Sequence, residues 1–254
     1  MSAERTFAAT ALKGKVALIT GAGKGLGRGI AEAMADAGAA VVLMARTGSE
    51  VEALAASIES RGGEARAMAG DVTDLEATAA QIAGLERLDI LVNNAGTNVP
   101  QPLLEVDPET FDRLMAVNVR AAYFTAQAAA RLMVPQGSGC IINMSSQMGH
   151  IGGAGRTVYC AAKHAIEGMT KAMAVELGPQ GVRVNALAPT FVETPMTRPY
   201  LSSPQAQEEA VGKIPLGRLG AIDDITGAAV FLASPAASLV NGTSFLIDGG
   251  YTAQ

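Results

Sequence analysis

The chain has 254 residues, of which 49% are hydrophobic and 17% are charged, and its formal net charge is −5. A chain of this length fits one hydrophobic core, so we expect a single domain over residues 1–254. The charged residues form no basic block, which disfavours nucleic acid and anionic membrane surfaces as partners.

The chain begins with MSAERTFAATALKGK, which contains neither the apolar stretch nor the cleavage site of a secretory signal. No apolar run further along is long enough to span a bilayer. We therefore expect a cytoplasmic protein without a membrane partner.

Short apolar runs alternate with amphipathic segments from Val16 almost to the end of the chain. Strands that are apolar throughout and separated by helices indicate a parallel sheet covered on both faces. The predicted fold class is therefore α/β, a doubly wound parallel sheet of seven strands with helices on both faces. The strand candidates are VALIT from Val16, AVVLMA from Ala40, ARAMAG from Ala65, DILVNN from Asp89, CIINMS from Cys140, VRVNALA from Val182 and SFLID from Ser244.

A glycine-rich turn, TGAGKGLG at residues 20–27, joins the first strand to the first helix. Gly21, Gly25 and Gly27 permit a tight turn and close approach of the backbone to a pyrophosphate, which the helix N-terminus would bind through its free N–H groups. The spacing is GxxxGxG rather than GxGxxG. The alternative is a glycine-rich turn without a ligand.

The tip of strand two carries Ala45 and Arg46 and no acid. At this position of a dinucleotide fold a carboxylate binds the ribose 2′-hydroxyl, whereas an arginine accepts a 2′-phosphate. Further on, Asp71 in GDVTD could reach the adenine amino group, and NNAG from Asn93 ends the fourth strand. Asp71 as a helix cap and Asn93 as a turn residue are the alternatives.

The segment 158–166, VYCAAKHAI, places Tyr159 four residues before Lys163. Residues i and i+4 share one face of a helix, so the ammonium can act on the phenol. Taken alone, this pair is either a surface accident or an acid–base device.

The remaining polar residues give no sign of a metal site. Cys140 and Cys160 lie in apolar surroundings without CxxC spacing, and His150 and His164 have no second ligand nearby in the sequence. We expect reduced thiols and no structural metal.

After strand six, the segment APTFVETPMTRPYLSSPQAQEE at residues 188–209 interrupts the alternation with prolines and polar residues. Insertions of this kind are usually functional lids or disordered. Because it follows the carboxyl end of a strand, we assign residues 188–215 as a substrate lid.

TGAGKGLG, NNAG, INMSS, YCAAK and NALAP occur in this order, and together they resemble the short-chain dehydrogenase/reductase family in its single-domain, Rossmann-type branch. The resemblance runs from about Lys15 to the terminal DGGY. One departure is Pro189-Thr190, where the family usually has Pro-Gly, next to the expected nicotinamide.

The resemblance implies an NAD(P)-dependent oxidoreductase that transfers a hydride between nicotinamide C4 and a secondary alcohol or ketone. It implies Tyr159 as the proton donor or acceptor, Lys163 as the cation that favours the phenolate, Ser146 as the group that binds the substrate oxygen, and Asn118 as the holder of a water leading to Lys163. The alternatives are a capping Ser146, a satisfied buried Asn118 and a surface Tyr–Lys pair. A dinucleotide-binding protein without catalysis is the rival from another class.

The resemblance also assigns the cofactor site, for which we predict NADP(H) over NAD(H), with NAD possible. The preference rests on Arg46 and Lys24, two cations placed where a 2′-phosphate would lie. The assigned cofactor-binding residues are Gly21, Lys24, Gly25, Leu26, Gly27, Arg46, Asp71, Val72, Asn94, Ala95, Gly96, Tyr159, Lys163, Pro189, Val192 and Thr194.

Polar residues near Ser146, namely Gln147, His150 and Arg156, could line a substrate pocket with the lid. Such a pocket would suit a sugar or a sugar acid. The alternatives are that His150 and Arg156 lie on the outside of a loop, and that the substrate is a 3-oxoacyl thioester, which many relatives reduce.

Two long helical segments, at residues 108–133 and 158–177, carry apolar or small residues on more than one face. This pattern is expected when one face packs on the sheet and another on a neighbouring subunit. Family members are commonly tetramers, so we expect a homotetramer.

Overall fold

The structure, a computed structural model, describes residues 10–254, so the expectation about a secretory signal lies largely outside the described residues. Seven strands form one sheet in the order β3-β2-β1-β4-β5-β6-β7, and every neighbouring pair is parallel. The predicted fold class is confirmed. The strands are β1 (Val16–Thr20), β2 (Ala40–Ala45), β3 (Glu64–Ala69), β4 (Ile90–Asn93), β5 (Gly139–Met144), β6 (Val182–Pro189) and β7 (Ser244–Ile247).

The strand order reverses between β1 and β4, which pair directly with each other. Chain order runs outward from β1 toward β3 on one side and from β4 toward β7 on the other. In open parallel sheets ligands bind at such a switch point, beyond the carboxyl ends of the strands. The glycine-rich turn after β1 and NNAG after β4 meet there.

Helices cover both faces of the sheet. Leu18 and Ile19, adjacent in β1, belong to different core clusters, because successive side chains of a strand point to opposite faces. The helices are α1 (Gly25–Asp36), α2 (Gly48–Ser60), α3 (Leu75–Ala83), α4 (Pro108–Met115), α5 (Ala122–Gln136), α6 (Thr157–Leu177), α7 (Pro204–Gly212) and α8 (Ile222–Ala233). One cluster is shared with α1, α2 and α8 and the other with α3, α5 and α6.

Strand four begins at Ile90, one residue later than predicted. The preceding Asp89 is 4% exposed, and its carboxylate accepts hydrogen bonds from Lys15, Arg87 and the Val16 amide. These contacts hold the charged residue at the strand's entrance, since a carboxylate is tolerated in the interior only when it is paired.

The predicted long helix at 108–133 is interrupted. A π-helical turn, Ala116–Ala121, separates α4 from α5. Within it the Asn118 amide donates a hydrogen bond of 2.9 Å to the Leu114 carbonyl. A π-turn contains one extra residue per turn and often marks a functional position.

The predicted lid segment is more ordered than its composition indicated. Strand β6 continues to Pro189, a 3-10 turn follows at Arg198–Leu201, and α7 begins at Pro204. The Ser203 side chain caps α7 by accepting a hydrogen bond from Ala206. The longest irregular stretch of the lid is therefore residues 190–197, between β6 and this turn.

Within residues 10–254 the longest apolar helices fall short of what crossing a bilayer requires.

Candidate active site

A cleft of about 690 Å³ runs along the carboxyl ends of the strands around the switch point. Most of the predicted cofactor-binding residues line it. They are Gly21, Lys24, Gly25, Leu26, Gly27, Arg46, Asp71, Val72, Asn94, Ala95, Gly96 and Thr194.

Pro189 and Val192 do not line this cleft. Pro189 ends β6, where it is paired with Ile247, and Val192 is buried in the core and bridged to Gly220. Tyr159 and Lys163 are also absent from the cleft wall. Gly96 connects the two regions, since a Cβ placed on it would lie 3.9 Å from Lys163 Nζ.

The glycine turn has the geometry that its sequence predicts. Gly21 and Gly25 have φ angles of +66° and +58°, in the left-handed region that side chains disfavour. At Gly27 a Cβ would collide with the Gly21 carbonyl oxygen and would lie 2.5 Å from Asn94 Nδ2. The turn therefore tolerates no side chain at Gly27, and the backbone N–H groups at the start of α1 stay open to a ligand.

Asn94 braces this turn from the neighbouring strand. Its amide donates hydrogen bonds to the carbonyls of Thr20, at 2.9 Å, and Gly21, at 3.3 Å. In return, the Thr20 hydroxyl accepts hydrogen bonds from the Asn94 and Ala95 backbone amides, both at 3.0 Å. The side chain of Asn94 thus holds the glycine turn in place, while the adjacent Ala95 and Gly96 line the cleft.

An acid that the sequence interpretation missed lies at the adenosine end of the cleft. Glu50 in the first turn of α2 lines the cleft and lies 3.9 Å from the Lys24 ammonium. The statement that no acid stands at this end holds for the tip of β2 but must be corrected for the cleft as a whole. A first-turn glutamate is favoured by the helix dipole, which was the available signal.

Among residues 10–254 no carboxylate lies within ion-pair distance of Arg46, which is exposed at the same end. Its charge acts on Asp71 instead. Burial raises the pKa of Asp71, but hydrogen bonds from Thr73 and the Arg46 charge outweigh it, so the net pKa is lowered. The cap of α3 is Asp74, so Asp71 is not the helix cap considered as an alternative.

Helix α6 places Tyr159 and Lys163 on one face. The Lys163 Nζ lies 5.5 Å from the centre of the Tyr159 ring and donates a hydrogen bond of 2.7 Å to the Met144 carbonyl. Lys163 is 6% exposed and Tyr159 is half-buried. The pair is therefore not an accident of an exposed helix surface.

Burial shifts the pKa values of Tyr159 and Lys163 in opposite directions, and each shift favours the neutral form of its group. Burial raises the pKa of Tyr159 to about 12, against the lowering effects of the Ser146 hydroxyl and the Arg156 charge. Burial lowers the pKa of Lys163 to about 8, against the raising effect of Glu167. Lys163 was expected to lower the pKa of Tyr159, but burial has the larger effect and the net pKa is raised. At neutral pH the site holds a phenol beside an ammonium.

Ser146 lies at the start of the loop that follows β5, beside the phenol. Its hydroxyl accepts a hydrogen bond of 3.2 Å from the Met148 amide and donates one of 3.1 Å to Gln147 Oε1. It therefore caps the short turn Gln147–Gly149, as the alternative interpretation proposed, and also acts on Tyr159. The two roles coexist in one hydroxyl.

Asn118, in the π-turn, is 2% exposed and its amide group is satisfied by protein. It donates to the carbonyls of Leu114 and Thr97, both at 2.9 Å, and accepts from the Thr97 amide at 3.2 Å. These bonds tie the loop after β4 to the helix. A Cβ on Gly96 would lie 2.9 Å from Asn118 Oδ1, so the asparagine lies next to the cleft wall.

The predicted substrate residues separate into two groups. Gln147 is 2% exposed and bonded to Ser146, and the Arg156 guanidinium stacks 4.7 Å from the centre of the Tyr200 ring. His150 instead lies 3.2 Å from Glu167 Oε1 and 2.9 Å from the Ser244 hydroxyl, between α6 and β7. The structure therefore brings Gln147 and Arg156 to the site and directs the His150 ring away from it.

Within the described part of the chain, no three His, Cys, Asp or Glu side chains are arranged to hold a metal ion. Both cysteines are buried free thiols. Burial raises the pKa of the Cys140 thiol, which makes it a poor nucleophile.

Comparison with known proteins gives one family over nearly the whole chain. The family model described as enoyl-(acyl carrier protein) reductase matches residues 21–252. L-xylulose reductase from Bos taurus is 41% identical, with 95% of this chain and 98% of that protein covered. Gluconate 5-dehydrogenase from Gluconobacter oxydans is 38% identical, with 95% of this chain and 96% of that protein covered.

A solved structure has the same fold. The gluconate 5-dehydrogenase from Burkholderia cenocepacia, crystallised in complex with NADP and tartrate, superimposes with a TM-score of 0.95. It is 35% identical, and the match covers 100% of both chains.

Proposed function

Because the chain belongs to the short-chain dehydrogenase/reductase family, we propose that it transfers a hydride between a nicotinamide cofactor and a secondary alcohol or ketone of a sugar or sugar acid. The observation that carries the proposal is the convergence of three groups. The Tyr159 phenol, the Lys163 ammonium and the Ser146 hydroxyl meet where the loop after β5 faces α6.

The residues around the cleft fit a dinucleotide. The turn at Gly27 has no room for a Cβ, so its amides can approach a pyrophosphate, and Arg46 offers a guanidinium at the adenosine end. When bound, the nicotinamide supplies or accepts the hydride. We propose NADP(H) as the preferred form, with NAD(H) possible, supported by Arg46 and by a relative crystallised with NADP.

In the direction of reduction, Tyr159 donates its proton to the carbonyl oxygen of the substrate. The Ser146 hydroxyl turns its proton from Gln147 Oε1 to the same substrate oxygen, and this hydrogen bond orients the oxygen and stabilises its developing negative charge. The Lys163 ammonium stabilises the phenolate that Tyr159 becomes, while its hydrogen bond to Met144 keeps the ammonium in place. Asn118 fixes the loop beside Lys163, and we propose that it also holds a water linking Lys163 to solvent.

A panel of substrates tests the proposal. Oxidation and reduction would be followed by nicotinamide absorbance on a polyol, a sugar acid, a ketose and a short 3-oxoacyl thioester. The relatives named for L-xylulose and gluconate favour the oxygenated substrates, whereas the name of the matching family model retains an acyl thioester as the second candidate. A strong preference for the thioester would reject the sugar assignment. Cofactor binding without turnover of any class would favour the non-catalytic rival.

The rate of carbonyl reduction should fall as the pH rises through about 8. Lys163 has a pKa of about 8, so above this pH it loses the charge that stabilises the tyrosinate. Below this pH the ammonium is present and Tyr159, with a pKa of about 12, keeps the proton it must donate. Initial reduction rates at saturating cofactor from pH 6 to pH 10 would reveal this limb. A rate that stays level to pH 10 would contradict it.

For the assembly we propose a homotetramer. Apolar side chains are exposed on α4 and α5, including Phe111 at 44% and Tyr123 at 45%, and Val175 on α6 is 79% exposed. Exposed apolar side chains on these three helices are what a neighbouring subunit would cover. Sedimentation should give a mass near four chains at micromolar concentration, and a monomer alone would reject the tetramer.

Further proposals concern the domain organisation, the location, the partners and the lid of the protein. We propose that the chain is a single catalytic domain in the cytoplasm, that it has no nucleic-acid or membrane partner, and that residues 188–215 act as a lid. The lid is supported by Tyr200, which lines the cleft and donates a hydrogen bond of 3.1 Å to the Asn98 carbonyl. Limited proteolysis with and without cofactor would test the lid, because closure should protect this segment.

A further inference from the structure

Arg156 stands at the N-terminal end of α6, three residues before Tyr159, and is partly buried. Its guanidinium lies over the Tyr200 ring, with the Cζ atom 4.7 Å from the ring centre. Among residues 10–254 its side chain has no carboxylate partner and donates no hydrogen bond. A partly buried arginine is thus left with all of its donors available.

Other arginines of the chain show what this position lacks. Arg87 pairs with Asp89 at 2.7 Å, and Arg218 pairs with Asp224 at 2.6 Å. Both of these side chains are largely exposed, at 53% and 56%, and each still has a carboxylate partner, whereas the partly buried Arg156 has none among the described residues. Stacking on an aromatic ring holds the guanidinium in a plane without using its N–H groups, so they remain available for a planar, bidentate anion.

The position of Arg156 is at the substrate end of the site. Its charge lowers the pKa of Tyr159, so it lies within the electrostatic field of the reacting phenol. The loops after β4 and β5 are joined beside it by a hydrogen bond of 3.0 Å from the Gln101 amide to the Gly155 carbonyl. The loop after β6 joins them through Tyr200, which lines the cleft. Arg156 therefore lies where three loops surround the space next to Tyr159.

We propose that Arg156 binds a carboxylate of the substrate, so that the substrate is a sugar acid rather than a neutral sugar. The inference rests on the proposed function. The carbonyl or hydroxyl carbon of the substrate reacts at Tyr159, and the inference says which group stands at the other end of that substrate. The guanidinium supplies two parallel N–H donors to the carboxylate, and Tyr200 on the lid keeps the guanidinium in position.

The competing role for Arg156 is a latch that holds the lid through Tyr200 regardless of substrate charge. The two roles predict different effects of losing Arg156 on the turnover of a neutral substrate. A latch serves acidic and neutral substrates alike, whereas a carboxylate-binding group serves only the acid.

The test compares kcat/KM for an aldonic acid and for a neutral polyol of the same chain length, in the unmutated protein and in Arg156→Gln. We expect Arg156→Gln to lose roughly 10- to 100-fold on the acid, the range for one charge-assisted contact, and less than about threefold on the polyol. The loss should fall mainly on KM, because the carboxylate is bound equally in ground and transition states. Arg61→Gln, an exposed arginine at the C-terminal end of α2, is the control and should leave both values within about twofold.

Equal losses on both substrates would overturn the proposal in favour of the latch, and so would a preference of the unmutated protein for the polyol. A binding titration separates this result from a failure of the proposed function. Calorimetry of cofactor-loaded protein with tartrate, a hydroxy acid that need not react, should show binding that Arg156→Gln weakens at least tenfold. Loss of tartrate binding in Arg156→Gln without any turnover in the unmutated protein would uphold the carboxylate site and reject the dehydrogenase. Unchanged tartrate binding in Arg156→Gln would reject the carboxylate site.

Discussion

Tyr159→Phe is expected to lower kcat for hydride transfer about 10²- to 10⁴-fold, the usual contribution of a positioned general acid or base. The substitution removes only the hydroxyl and keeps the ring beside Lys163. The affinity for cofactor should therefore stay within about twofold. Steady-state rates at saturating cofactor, together with a cofactor titration, would measure both quantities.

The physical reason lies in the proton that the hydroxyl carries. Burial raises the pKa of Tyr159 to about 12, so the group is a phenol at neutral pH and can donate a proton to a carbonyl oxygen. Phenylalanine has no proton to donate. A water in place of the missing hydroxyl would not be held in a fixed position beside the Lys163 ammonium. Tyr123→Phe is the matched control, because it also removes only a hydroxyl, keeps the ring available for the proposed subunit contact, and lies on α5 outside the cleft lining, so kcat should be unchanged. Full activity of Tyr159→Phe would remove the tyrosine from the mechanism.

Arg46→Ala is expected to raise the KM for NADPH roughly 10- to 100-fold and to leave the KM for NADH nearly unchanged. The range corresponds to one charge-assisted hydrogen bond to the 2′-phosphate, about 1.5 to 3 kcal/mol. No carboxylate pairs with Arg46 in the described part of the chain, so the whole guanidinium is available to the phosphate. Steady-state kinetics with both cofactors would measure the two constants.

Two further variants sharpen this test. Arg61→Ala removes the same charge at the C-terminal end of α2 and should change neither constant. Glu50→Gln should act in the opposite direction and lower the KM for NADPH, because it removes a like charge and frees Lys24, which lies 3.9 Å from Glu50. An unmutated protein that uses NADH as efficiently as NADPH would show that these side chains do not select the cofactor.

The parts of the protein that were predictable from the sequence depend on local patterns. Strands β1 and β2 begin at the predicted residues, because a buried parallel strand is apolar at every position and its start is abrupt. Strands β6 and β7 also begin where predicted, although β6 contains Arg183 and Asn185 and β7 is partly exposed. The glycine turn was predictable for a similar reason, since positive φ angles at Gly21 and Gly25 require a residue type that the sequence displays directly.

The parts that were not predictable depend on contacts through space. Glu50 reaches Lys24 across the glycine turn, and nothing in the sequence around either residue shows that the end of β1 and the start of α2 lie side by side. His150 has Glu167 and Ser244 as partners, and Ser244 is 94 residues away in the sequence. The high pKa of Tyr159 likewise comes from burial by distant loops, which the spacing to Lys163 does not show.

The π-turn at Ala116–Ala121 constrains chain length as well as residue type. Each residue of an α-helix advances the side-chain direction by about 100°, so the extra residue in this turn sets the rotation of everything that follows it. Helix α5 buries Ala122, Ala126, Ala129 and Met133 in that rotation. A deletion of one residue here would turn those small side chains out of the core and draw Asn118 away from Gly96. The region is thus expected to accept substitutions on its outer face while rejecting any insertion or deletion.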